Sequence, residues 1–245
     1  SNAALHFIFH VGHCGSTLIS RLLDELGAFG LREPLPLRSL AEIQLDVGQA
    51  WSLLDTDGFD RLAGMLGTLW SRRPSSTNAS VVKATSHTSG LATQMLDQRS
   101  NSRAVSIGLP FERYMATVLA GQYAPYEFRS TAGFRLRRLA HTGFGNLPAA
   151  SAMELPQYAA LAWLTETYTL RKAAHEAGSR WHHIDFDAFL EDPARHLAEL
   201  SDHFGLGAEP EQIEAAVNSP AMTRYSKAPE HDYSTGLRQQ VIEQS

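Results

Sequence analysis

The stretch from Leu5 to Gly27 constrains the fold of this chain more than any other. Leu5 to Val11 is a short, largely apolar run with β-branched and aromatic members, broken at once by Gly12. Such a run reads as a buried strand. From Ser16 to Leu26 the period becomes helical, with Leu18, Ile19, Leu22, Leu23 and Leu26 on one face and Gly27 as a stop. A strand, a tight glycine-containing turn and a helix therefore open the chain.

Three later segments repeat the strand signal: Ser80 to Lys83, Arg103 to Ile107 and Arg180 to Asp185. Helical patterns separate them at Ser89 to Asp97, at Phe111 to Gly121 after Pro110, and at Pro156 to Ala177, where Leu161, Leu164 and Tyr168 share a face. Asp192-Pro193 marks a helix start, a cap followed by proline in the first turn. Leu197, Leu200 and Phe204 carry that helix to Gly205. Strands alternating with helices predict an α/β fold in three layers, a central mostly parallel sheet flanked by helices. Residues 72–80 read as loop, no internal repeat is present, and nothing after Pro220 has a firm pattern.

Composition sets the outer bounds. The 245 residues are 43% hydrophobic and 19% charged, which is globular rather than disordered. One domain over 4–245 is expected, with Ser1-Asn2-Ala3 reading as an expression scar. A net charge of −5 disfavours non-specific nucleic-acid binding. The single cysteine, Cys14, allows no intrachain disulfide and fits a reducing, cytoplasmic compartment. There is no apolar run long enough to cross a bilayer and no signal peptide, so no membrane is expected as a partner. Oligomeric state is not set by the sequence.

The first turn, Gly12-His13-Cys14-Gly15-Ser16-Thr17, carries the chemistry. A helix starting here aims unpaired backbone N–H groups at the turn, and with the helix dipole these favour a sulfate or phosphate. Gly12 and Gly15 permit close backbone approach, and Ser16 and Thr17 offer hydroxyls. The plain alternative is a glycine turn with Ser or Thr capping the helix and binding nothing. The nucleotide-triphosphatase loop requires Gly-Lys followed by Ser or Thr, and no lysine follows Gly15. A P-loop kinase would therefore be atypical, lacking the cation that faces the β- and γ-phosphates.

The run His13-Cys14-Gly15-Ser16-Thr17-Leu18 resembles the 5′-phosphosulfate loop of the P-loop sulfotransferases, which reads Arg/Lys-Ser-Gly-Thr-Thr/Ser-Leu after a first strand. Ala28 to Pro34, with its Glu33-Pro34 pair, is similar to the segment after helix one in the tyrosylprotein-type branch. Val81-Val82-Lys83-Ala84-Thr85-Ser86-His87 looks like the family's central strand and following loop. Trp181 to Leu206 resembles its late strand, acidic turn and Asp-Pro helix start. Two departures stand out. His13 replaces Arg or Lys, and Gly108-Leu109-Pro110 stands where the 3′-phosphate motif has Arg-Asp-Pro. The serine that should follow is at best displaced to Thr117, and Arg103 or Arg113 are the candidates to replace the arginine.

The resemblance implies a sulfuryl transfer from 3′-phosphoadenosine 5′-phosphosulfate to a hydroxyl or amine of a small-molecule or peptide acceptor, with no metal. It also leaves room for a catalytically inactive binding module of the same fold. It assigns residues 12–17, Lys83, Arg113 and Thr117 to the donor, and His13 to the charge on the leaving oxygen. Either Glu33 or His87 is the general base. The eleven histidines show no metal-ligand spacing, and His182 and His183 should face opposite ways on a strand. Arg129, Arg135, Arg137 and Arg138 lie in a stretch without Asp or Glu. They read either as a site for an anionic group or as the solvated face of a helix. Arg224 and Lys227 are further cations within reach of a cofactor.

Overall fold

The computed structural model describes residues 4–120 and 124–223. Arg224 and Lys227 lie outside the described residues. The elements in the first half are β1 (Leu5–His10), α1 (Ser16–Glu25), β2 (Ala28–Arg32), α2 (Leu35–Asp46), α3 (Thr56–Trp70), β3 (Ala79–Lys83) and α4 (Ala92–Asp97). Those in the second half are β4 (Ala104–Gly108), α5 (Phe111–Leu119), α6 (Ala124–Ala140), α7 (Leu155–Ala177), β5 (Trp181–Asp185), α8 (Phe186–Glu191), α9 (Pro193–Phe204), α10 (Pro210–Val217) and α11 (Pro220–Thr223). A 3-10 turn, Ser86–Leu91, joins β3 to α4, so the helix expected from Ser89 begins in tighter form.

The strands form one parallel sheet in the order β2-β3-β1-β4-β5. Helices flank it: α1 meets α9, α10 and α11, whereas α7 meets α4, α5 and α6. All six residues of β1 are buried, because this central strand is covered on both faces. The chain leaves β1 toward β2 and β3 on one side and later crosses to β4 on the other. The crevice between β1 and β4 is thus a switch point, where open α/β sheets place ligands beyond the strands' carboxyl ends. The turn after β1 opens there, and its first amide, Val11 N–H, donates to Ile107 O of β4 at 3.2 Å.

The apolar stripes of α1 and α9 are buried as expected. On α7 the expected face is shifted. Leu161 is buried as expected, but Leu164 is exposed, while Ala159, Ala162, Thr165, Glu166, Leu170 and Ala173 face inward. Local signals still set the helix ends. Asp55, Asp185 and Asp192 cap α3, α8 and α9, and Glu154 with Gln157 boxes the start of α7. Among the described residues no helix is long and apolar enough to cross a membrane.

β1 also carries an acid-sensitive group. The His6 ring is buried, stacks on Phe204 at 4.9 Å and accepts Arg103 N–H at Nδ1 (3.1 Å). Burial, then the neighbouring His203 and Arg103, lower its pKa to about 4. The unfolded chain takes up this proton near pH 6.5 and the folded one does not, so the stabilisation present above 6.5 is lost as pH falls toward 4. Urea midpoints measured between pH 7 and 4.5 should decline, and less steeply in His6→Gln. Parallel curves would show that His6 does not contribute.

Candidate active site

α1 begins without a side-chain cap, unlike α3, α8 and α9. Its N-cap is Gly15 in the left-handed conformation (φ 71°). Gly12 (φ 90°) and His13 (φ 50°) have positive φ too, so three of the four residues 12–15 turn the backbone tightly. The N–H groups of His13, Cys14, Gly15 and Thr17 have no acceptor among the described residues, nor do the hydroxyls of Ser16 and Thr17 have a partner there. The capped-helix alternative is therefore not what the chain adopts.

Two members of the expected set contribute differently. Gly12 was expected to lend its amide to an anion, but that N–H donates to His10 Nδ1 at 3.0 Å. The opposite nitrogen, His10 Nε2, lies 2.8 Å from Ala84 O, which sets this ring as the Nε2–H tautomer. His10 thus ties the loop to the end of β3, a role the sequence did not suggest. Cys14 turns its thiol inward, 3.4 Å from Ile107 O, and burial pushes it up to about 12. Cys14 can offer only its backbone.

Gly15 is under the strictest requirement. A Cβ at this position would fall inside the buried Phe186 ring at the start of α8, and the positive φ adds strain for any other residue. Gly15→Ala should cost about 2–4 kcal/mol through overpacking and strain. The check is a chemical denaturation curve, and a loss below about 0.5 kcal/mol would contradict it.

Glu33 and Lys83 meet at the carboxyl ends of β2 and β3. Lys83 Nζ is buried and lies 2.5 Å from Glu33 Oε1, while Arg38 Nη2 lies 3.4 Å from Glu33 Oε2 and its Nε donates to Thr85 Oγ1 at 3.3 Å. Glu33 N–H donates to Lys83 O at 2.7 Å, and Glu33 itself has φ 51°. Two of the three described non-glycine residues with positive φ are thus His13 and Glu33, two of the three residues, with His87, expected to be catalytic. Backbone strain of this kind collects at functional sites.

His13 Nε2 faces Glu127 Oε2 of α6 at 3.4 Å, outside hydrogen-bond geometry, and its ring tilts against Phe128. His87 packs edge-on against Phe134. Burial, then the Arg135 guanidinium, lower its pKa to about 4. Glu33 lies at the end of the sheet beside Lys83, and His87 in the turn that follows β3.

At the expected 3′-phosphate segment the structure provides less. Gly108 ends β4, and His183 of β5 stands beside it, its Cε1 3.1 Å from where a Cβ would be. His183 Nδ1 is 2.9 Å from Ser106 Oγ, whereas His182 turns the other way toward Glu199. Arg113 Nε pairs with Asp187 at 3.3 Å, and the Thr117 hydroxyl donates to Arg113 O. Arg103 immediately precedes β4, at the amino ends of the strands and away from the crevice at their carboxyl ends, and its Nη1 is bonded to His203 O.

The arginine-rich segment is helix α6, and it divides. Arg129 and Arg137 are exposed, whereas Arg135 and Arg138 are buried around Glu166 of α7. The solvated-face alternative is therefore wrong for two of the four. Among the described residues no group of three His, Cys, Asp or Glu side chains is placed to hold a metal ion.

No protein-family model matches this chain, and no curated protein matches its sequence. Solved structures do match. The sulfotransferase domain from the curacin biosynthetic pathway superposes with a TM-score of 0.55 at 15% identity, over 99% of this chain and 97% of that one. The sulfotransferase domain of the Synechococcus PCC 7002 olefin synthase gives 0.49 at 15% identity, over 99% and 85%. A sulfotransferase from Alicyclobacillus acidocaldarius gives 0.48 at 13% identity, over 96% and 98%. The parallel five-stranded sheet, its flanking helices and the end-to-end superposition on the curacin domain establish that this chain has the sulfotransferase fold.

Proposed function

We propose that residues 4–245 form one sulfotransferase domain working in the cytoplasm. It moves a sulfuryl group from 3′-phosphoadenosine 5′-phosphosulfate to a hydroxyl or amine of a small-molecule or peptide acceptor. The observation that carries this reading is the uncapped start of α1, whose free amides lie at the sheet's switch point. The residues present suit the donor's 5′ end: unpaired amides at 13–15 and 17, two hydroxyls, and the buried Lys83 ammonium beside the loop. They suit the 3′-phosphate less well, because Gly108 has no side chain and Arg113 and Thr117 already have protein partners.

Sulfuryl transfer depends mainly on positioning and on charge placed in advance. In this reading the amides of residues 13–15 and 17 hold the sulfonyl and phosphate oxygens. His13 and Lys83 meet the charge that builds on the bridging oxygen as its bond to sulfur breaks. Glu33 takes the proton from the acceptor hydroxyl or amine as the new bond to sulfur forms.

The altered segment at Gly108 favours a second reading, a binding module that keeps the fold and the anion loop without transfer. Incubation with donor labelled at sulfur, against a panel of alcohols, phenols, amines and tyrosine peptides, separates the two. The first reading predicts label in at least one acceptor class and a drop of about 10²-fold in turnover for His13→Ala. Label in none of them would leave the binding module. Magnesium-dependent ATP consumption would point instead to an atypical kinase.

A further inference from the structure

α6 presents Glu127, Thr131, Arg135 and Arg138 along one side, at helical spacing. The last two enter the interior. Arg135 Nε and Arg138 Nη2 lie 2.9 and 2.8 Å from the same oxygen of Glu166. Ser89 donates its hydroxyl to the other oxygen and accepts Arg138 Nη1 at 2.7 Å. Arg135 is 1% exposed, Arg138 6% and Glu166 0%. Two guanidinium groups against one carboxylate leave one positive charge in excess in a buried set. Such an excess is unfavourable unless another anion meets it. The Glu127 carboxylate, on the same side of α6, is 40% exposed and faces His13.

The excess charge points toward the loop. Arg135 Nη2 is 3.5 Å from Ser86 Oγ, and Ser86 packs on Gly12, with its Cβ and Oγ 3.4 and 3.5 Å from where a Cβ of residue 12 would stand. The Arg135 guanidinium also lies 6.0 Å from the Phe128 ring centre, and that ring touches both His13 and Tyr114. Tyr114 is fully buried, and neither its hydroxyl nor His13 Nε2 has a hydrogen-bond partner among the described residues. Two unpartnered polar groups and a buried ion cluster of net positive charge thus lie on one side of the same turn. The neutral ring of His87, adjoining Ser86, registers the field of Arg135.

We propose that Arg135 is a positioning residue for the bound oxyanion: acting from behind the loop through Ser86, it supplies the permanent positive charge that a histidine at position 13 does not. This inference rests on the anion-loop reading above and adds to Lys83 a second permanent cation behind that loop.

The test is calorimetric titration of the whole protein with 3′-phosphoadenosine 5′-phosphate. Arg135→Met should weaken binding about tenfold or more, and Arg135→Lys should recover it to within about threefold, because charge rather than shape is at issue. Arg135→Met is suitable because Glu166 keeps Arg138 and Ser89. Ser86→Ala, which leaves the ion cluster untouched, should weaken binding threefold or more. Wild-type affinity in Arg135→Met, equal losses in the Met and Lys variants, or wild-type affinity in Ser86→Ala would overturn the proposal while leaving the loop reading intact. No binding by the wild-type protein at millimolar concentration would overturn both.

Discussion

Glu166→Leu should destabilise the protein by about 3–5 kcal/mol, the loss expected when one partner of a buried ion cluster is removed. Both arginines would lose the carboxylate 2.8–2.9 Å away and stay inside the protein, at positions where water cannot replace it. Burial already disfavours the charged form of Arg138, and Glu166 is what opposes that tendency. Arg137→Ala supplies the contrast. Arg137 is 55% exposed and meets Asp46 at only 3.5 Å, so its loss should stay within about 0.5 kcal/mol. Urea denaturation of the two variants checks both numbers. A Glu166 variant as stable as Arg137→Ala would mean that the buried cluster does not hold α6 to α7.

The second large effect concerns the base. Glu33→Gln should lower kcat by about 10²–10⁴-fold for whichever acceptor is transferred to, since a positioned base contributes that much. His87→Ala should change kcat by less than about threefold. The structure separates the two residues by surroundings. Glu33 is held by Lys83 and Arg38, while the His87 ring lies against Phe134. Glutamine keeps the shape of Glu33 and one of its two acceptor oxygens but cannot act as a carboxylate base, so a fall in kcat without loss of fold assigns the proton to that carboxylate. Equal and mild effects in both variants would mean that neither is the base.

The parts of this fold that were readable in sequence are those with a single period. β1 is buried along its whole length, and α1 and α9 each present one apolar stripe. β2 went unread because Ala28-Phe29-Gly30-Leu31-Arg32 is short, half exposed and interrupted by glycine. The Asp24 carboxylate occupies the place a side chain at Gly30 would take. α3 was hidden by Gly58, Gly64 and Gly67, which weaken helix propensity, and tertiary packing overrides them.

The candidate site divides along the same line. The turn at 12–17 was named from local pattern and Glu33 and Lys83 from the family resemblance, and the last two meet in space. His10, Arg38 and Tyr114 were not, because their roles depend on contacts across the sheet. Arg135 and Glu166 are 31 residues apart, and charge pairing over that distance leaves no local trace. One signal was present. In the inward stripe Ala159, Ala162, Glu166, Leu170, Ala173, a lone carboxylate interrupts small and apolar residues. A carboxylate there requires a buried cation, and the acid-free arginine stretch was the nearest source.

Backbone amide shifts offer the most direct test of the whole account. In a ¹H–¹⁵N titration with 3′-phosphoadenosine 5′-phosphate, the signals of His13, Cys14, Gly15, Ser16 and Thr17 should move first and furthest, saturating at one equivalent of bound ligand. If those five signals stay fixed up to millimolar ligand while others shift, or if none shifts, then the amides at the start of α1 do not hold an oxyanion and the proposed chemistry fails.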